Sequence, residues 1–316
     1  MKDPQVRHQT SKEATRPCRE ALRIRLFILS VLLLVPSMLP GAHDIATVQS
    51  EEVAVLFEGP LGNAAKEVIE VYPAVRSELE GTFRWEVGFR PSVLLMGDSG
   101  AFKREAGSDI TIALAIPARC LIVIDNSRVH ARPFTLKTTL KHELCHLLLH
   151  HNIDGLPRWL DEGVCQWASD GMAELIMSSD EPDLTRASLS GSLLPLREME
   201  RFPADEGSLR LAYAESRSMV EYITGKYGRD GLLSVLENLR GGLTLEEALG
   251  KSLSVSMREL EGQWHDYLEG RYTWLTYISN NIYYILLSLA ALMTVYGFIR
   301  FLMRKRAYRD EDEGPY

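Results

Sequence analysis

The chain has 316 residues, of which 46% are hydrophobic and 25% charged, and carries a formal net charge of −8. That is long enough for a full catalytic core with appendages, and the composition is ordinary for a globular protein. The acidic balance, with no concentrated basic face in mid-chain, argues against a nucleic-acid binder.

The charge is uneven at the start. Residues 1–25 hold Lys2, Arg7, Lys12, Arg16, Arg19, Arg23 and Arg25 against Asp3, Glu13 and Glu20, and an uncharged apolar run follows from Leu26 to Leu39. Residues 26–42 therefore read as a signal peptide or a short signal anchor behind a basic leader. A full span needs about 20 residues, more than this run supplies. Pro36 and Pro40 suit the end of a signal region. The stretch Leu39-Pro40-Gly41-Ala42-His43 offers no clean small-x-small site, so cleavage near residue 42 and retention as an anchor both stay open.

Residues 44–60 form a short lead-in ending at Gly59-Pro60. From Leu61 to Leu79 the apolar positions recur at helical spacing, with Pro73 expected to kink or interrupt the helix and Gly81 to close it. The period then changes. Trp85, Val87 and Phe89 alternate with Glu86 and Gly88, and Ser92–Gly97 follows as strand. Asp98–Gly100 reads as a turn and Ala101–Gly107 as a polar piece. Asp109–Ile116 and the β-branched run Cys120–Asp125 are further strands. A helix then starts after Thr135, a good N-cap, and ends near His151-Asn152. Pro157 opens the next helix, packed by Trp159, Leu160, Val164 and Trp167. Residues 170–207 are a loop-rich insertion with room for one short helix. Helical spacing returns from Leu209, with Gly228 as punctuation. Leu232–Leu239, Leu245–Leu249 and Met257–Leu268 follow.

A second apolar run spans Ile282–Met303, broken only by Arg300, with Tyr283, Tyr284 and Tyr296 near its ends. It reads as a transmembrane helix, followed by Arg304-Lys305-Arg306 and a short tail, 304–316. The positive-inside rule puts the tail and the basic leader in the cytoplasm and residues 45–275 outside it. Three cysteines, Cys120, Cys145 and Cys165, fall in that outside domain, and spacing alone does not choose a disulfide pair.

The chemistry gathers in Lys141-His142-Glu143-Leu144-Cys145-His146, which contains H-E-x-x-H in a helical run. Residues four apart share a helix face, so His142 and His146 can grip one metal ion, and Glu143 can reach water at its open position. Zinc suits two imidazoles, a third protein ligand and one open place. The best third ligand is Glu162, on the next helix after a turn at Gly155-Leu156-Pro157. Asp161 faces elsewhere and is expected to orient a ligand histidine through its other ring nitrogen. His150 fails as a ligand: it lies about 12 Å along the axis from His142. It and His151 read as residues that favour a helix C-terminus. Cys145 points about 100° away from His146 and reads as a packed thiol.

These residues, with Pro157-x-Trp159-Leu160-x-Glu162-Gly163 behind them, resemble the gluzincin metallopeptidases. The nearer match is to the peptidase-MA-like domains of bacterial membrane and secreted proteins. Ala212-Tyr213-Ala214-Glu215-Ser216, Val220–Ile223, Tyr227-Gly228 and Leu245–Leu249 are similar to that family's later helices, so the resemblance covers roughly residues 60–270. It implies an α+β, zincin-like fold: a small mixed β-sheet, then the active-site helix, then a helical subdomain. It also implies one Zn2+ on His142, His146 and Glu162, a peptide or protein substrate, Glu143 as general base, and Tyr213 at the oxyanion. The sequence departs at Asp161, where several gluzincins carry Asn, and at Cys145. Substrate would add as a strand along a sheet edge, for which Asp109–Ile116 is the candidate. A catalytically silent zinc domain, used for binding or assembly at the membrane, remains the alternative.

Overall fold

Five strands form one mixed sheet in the order β1-β2-β3-β5-β4. The structure, a computed structural model, describes residues 45–107, 110–130, 134–170, 181–271, 278–279 and 281–312. The leader, the apolar segment 26–42, Asp109, residues 171–180 and the last four residues lie outside them.

The lead-in is not irregular. Its residues Ile45–Gln49 (β1) and Ala54–Glu58 (β2) pair antiparallel, with Val48 opposite Val55. Five-residue strands joined by four residues are too short to declare themselves by period alone. Strand β3, Ser92–Met96, then runs parallel to β2 and to β5, Leu121–Asp125. Strand β4 is shorter than expected, Ala113–Ile116, and lies antiparallel to β5 at the sheet edge. Arg128 reaches back from the loop after β5, pairs with the buried Asp125, and donates to the Thr111 carbonyl just before β4.

Trp85–Phe89 corrects the strand reading. Trp85 and Val87 are buried as their alternation suggests, but the segment joins no ladder. Side chains take its polar groups instead. Val87 N donates to Glu80 Oε1, and Trp85 Nε1 donates to Glu237 Oε2, each at 2.9 Å. The preceding helix, α1 (Gly62–Phe83), passes both Pro73 and Gly81 and ends at Arg84, which adopts the left-handed conformation. Pro73 is exposed, so water can satisfy the carbonyl its missing N–H frees. The polar piece after β3 is also helical: α2, Ser99–Ala106, is capped by Asp98 and stopped at Gly107 with φ +65°.

Helix α3, Leu136–Asn152, carries the H-E-x-x-H residues. It starts in a capping box between Thr135 and Thr138. Its residues are buried around most of its circumference because it lies among α1, the sheet and α4, Arg158–Ala168. Even Lys141 is covered, its ammonium 2.9 Å from Glu78 of α1. Beyond α4 come α5 (Glu181–Ser190), α6 (Glu206–Arg240), α7 (Leu245–Leu253) and α8 (Met257–Arg271). Helix α6 breaks at Gly228, where φ is +76° and ψ 167°. The last helix, α9, runs Ile282–Asp312, so the short tail begins as helix.

Candidate metal centre

One close approach and one hydrogen bond seat α4 against α6. Gly163 lets α4 lie on α6: a Cβ there would meet the Ser216 carbonyl oxygen at 2.3 Å and Val220 at 2.7 Å. Gln166 Nε2 then donates to the Tyr213 carbonyl at 3.1 Å, fixing the level of α6. With α4 turned back across α3, Glu162 arrives opposite His142 and His146. The three residues are buried, and one ligand atom from each lies within 4.8 Å of the others.

The hydrogen bonds assign the ring protons. His146 Nδ1 lies 2.8 Å from Asp161 Oδ1, so the ring donates there. Ser169 gives its hydroxyl proton to the Cys165 carbonyl at 2.6 Å. It can therefore only accept from His142 Nδ1, 3.3 Å away. Both Nε2 atoms consequently point inward, 3.1 Å apart, with ring planes at 82°. Glu162 Oε2 lies 3.5 Å from His146 Nε2 and 3.8 Å from His142 Nε2, and has no hydrogen-bond partner among the described residues.

Such a set could hold a metal ion. A tetrahedral zinc ion with bonds near 2.0–2.1 Å places its donors about 3.3–3.4 Å apart, close to these three separations. Burial works against a charged His146, but Asp161 and Glu162 outweigh it and raise its pKa well above the ordinary value. Burial lowers that of His142. Burial disfavours charge on Glu162 too, yet His146 and His142 hold its carboxyl well below the usual range. The donors present fit a divalent ion of the zinc type.

Asp161 does more than orient one ring. Its second oxygen, Oδ2, lies 2.8 Å from His150 Nε2. His150, read from sequence as a helix-terminal residue, is thus the outer partner of Asp161. Cys145 and Cys165 are both buried free thiols, so no disulfide joins them.

A cleft of about 830 Å³ opens beside the centre. Its walls include His146, Glu162 and Tyr213 on one side and Thr111, Leu114 and Ala115, from β4 and the residues before it, on another. Glu143 and His142 are fully buried and are not among the lining residues. The Tyr213 hydroxyl donates to Glu162 Oε1 at 3.1 Å. Sequence reasoning missed Arg158. Its Nη2 lies 3.4 Å from the Tyr213 oxygen, its Nε 3.5 Å from Glu162 Oε1, and its guanidinium 4.7 Å from the centroid of the Phe202 ring. Its place one turn before Glu162 on α4 was the available signal. Glu200, Phe202 and Glu206, which also line the cleft, come from the insertion, where no pattern could single them out.

The sequence profile of the peptidase MA superfamily matches residues 113–270, half of the chain. The chain belongs to the peptidase MA superfamily. The matched residues begin at β4 and run through α8, so the superfamily region holds both motif helices and the helical subdomain. The fold has the zincin-like α+β order of that superfamily: small mixed sheet, motif helix, helical subdomain. No curated protein matches the chain. Among solved structures it is similar to an M1 zinc metallopeptidase from Deinococcus radiodurans, at 16% identity and a TM-score of 0.43 over 70% of this chain and 50% of that one. It is also similar to aminopeptidase A of Legionella pneumophila in complex with aspartic acid, at 15% identity and a TM-score of 0.43, over 70% and 27%. The chain thus spans about half the length of the first and about a quarter of the second.

Proposed function

We propose that this peptidase MA chain is a membrane-anchored zinc metallopeptidase. The observation that carries the reading is the meeting of two inward-facing Nε2 atoms and a Glu162 oxygen without a hydrogen-bond partner among the described residues, in one buried place. His142, His146 and Glu162 would hold the ion. Asp161 fixes His146, and Ser169 fixes His142, each with its free nitrogen inward. Bound zinc supplies the Lewis-acid charge that activates water for attack on a carbonyl.

Glu143, one residue from His142 on α3, would take the proton of the attacking water and pass it to the leaving amine. Tyr213, on the cleft wall beside Glu162, is the hydroxyl placed to meet the developing oxyanion. The peptide would add as an extended strand along β4, whose outer edge faces no other strand among the described residues and whose residues line the cleft.

Among the described residues, one helix is long and apolar enough to cross a membrane, Ile282–Met303, with none of its apolar window buried. Arg304-Lys305-Arg306 directly after it favour a cytoplasmic tail, and so an extracytoplasmic domain over residues 45–275.

Full burial of Glu143 favours a second reading, a zinc-holding domain that binds or assembles without cleaving. Glu143→Gln separates the two. The peptidase reading expects the variant to keep its zinc while peptide cleavage falls by about 10²–10⁴-fold. A wild type that carries zinc yet cleaves nothing in a broad peptide library would leave the binding domain as the surviving account.

A further inference from the structure

The two oxygens of Glu162 have different surroundings. Oε2 faces the imidazoles and has no hydrogen-bond partner among the described residues, whereas Oε1 accepts from Tyr213 and lies beside Arg158 Nε. Arg158 Nη2 also donates to the Tyr213 oxygen. Carboxylate, phenol and guanidinium therefore touch one another in a closed triangle. Phe202 backs two of its corners: the Arg158 guanidinium lies over the ring, and the Tyr213 ring meets it edge-on at 5.1 Å. Tyr213 itself is fully buried.

We propose that Tyr213 and Arg158 form a clamp on Glu162 Oε1 that makes Glu162 a one-oxygen donor and holds Oε2 toward His142 and His146. The inference rests on the metal-site reading above. An unrestrained carboxylate turns about its last torsion and can offer a metal either oxygen or both. Turning Oε1 inward here would break the Tyr213 hydrogen bond and separate the carboxylate from the guanidinium. That bond is made to a charged acceptor in a buried place, where such bonds are strong. The phenol has a single proton. While that proton lies on Oε1, Tyr213 is a positioning residue, and a role at the oxyanion requires the proton to leave Glu162. Arg158 acts on the same oxygen by charge and holds the phenol by its donor.

The test uses the full-length protein in detergent. Zinc affinity is measured by competition with a chromogenic chelator, and the geometry by the visible spectrum of the cobalt-substituted protein. Tyr213→Phe, which removes only the hydroxyl, and Arg158→Gln are each expected to weaken zinc binding by about 10–100-fold. Both are expected to change the cobalt bands, which a purely structural role would leave alone. Unchanged zinc competition and unchanged cobalt bands in both variants would overturn the clamp while leaving a zinc-loaded wild type, and so the metal-site reading, in place. Normal zinc binding with a collapsed kcat in Tyr213→Phe would also overturn it, in favour of the oxyanion role. A wild type that binds no zinc refutes the metal site itself, and the clamp with it.

Discussion

Glu215 on α6 is a buried acid with a structural task. Both of its oxygens lie close to the Leu194 backbone N–H, at 3.0 and 3.2 Å, while Glu261 of α8 accepts from Leu196 N. Burial pushes the Glu215 pKa up to about 8, against the Leu194 hydrogen bond, and the charge of Glu261 adds to the rise. The unfolded chain loses this proton near pH 4.5, and the folded chain keeps it until about 8. Stability from this group is therefore fully present below pH 4.5, falls as pH rises toward 8, and then levels off. The loss across that window is on the order of a few kcal/mol. Glu215→Gln keeps the shape without the titration. Its melting temperature is expected to fall less than the wild type's between pH 5 and pH 8. Parallel melting curves for the two proteins across that range would contradict the assignment. At this scale the grouping of three donor side chains was legible in the sequence. His142, His146 and Glu162 stand together because the four-residue spacing on one helix and the turn at Gly155-Leu156-Pro157 bring them to one place, and Asp161 sits on His146 as its position beside Glu162 implied. Arg158, Ser169 and His150 were not legible as site residues. Arginine, serine and histidine occur on any helix, and their partners are 55, 27 and 11 residues away in sequence.

Elements were legible in proportion to their length and their capping. Helices α3, α4 and α8 follow the apolar spacing, and α3 also its Thr135 cap. Gly228 breaks α6 where the sequence punctuates it, since a positive φ suits glycine. The failures have particular causes. The β1–β2 hairpin is built from strands too short for a period to emerge, and α2 buries one side chain, Phe102, so it has no apolar stripe. Trp85–Phe89 has the alternation of a strand but spends its polar groups on Glu80 and Glu237. Gly81 was read as a stop, yet the helix runs on until Arg84 takes the left-handed conformation instead. Sequence cannot show which of two nearby residues will carry that conformation when neither is followed by proline. The close approach of α4 to α6 at Gly163 explains why a glycine directly follows Glu162: no other residue fits against the Ser216 carbonyl.

At the scale of the whole molecule, the peptidase MA superfamily region is followed, among the described residues, by one exposed apolar helix. Tyr283, Tyr284, Leu287 and Met293 are all well exposed on α9, which suits lipid rather than water. The full-length protein is expected to stay in the membrane fraction after alkaline carbonate extraction, with its domain open to protease added from the extracytoplasmic side. Release by carbonate, or protection of the domain in intact cells alongside cleavage of the tail, would overturn the proposed topology. The central claim is the metal centre, and it is tested most directly by counting zinc. Full-length protein, purified without chelator and dialysed against zinc-free buffer, is expected to hold one zinc per chain. His146→Ala and Glu162→Ala are expected to hold far less while keeping the wild-type circular dichroism. A wild type that remains zinc-free after incubation with zinc, or ligand variants that retain a full equivalent, would contradict the account.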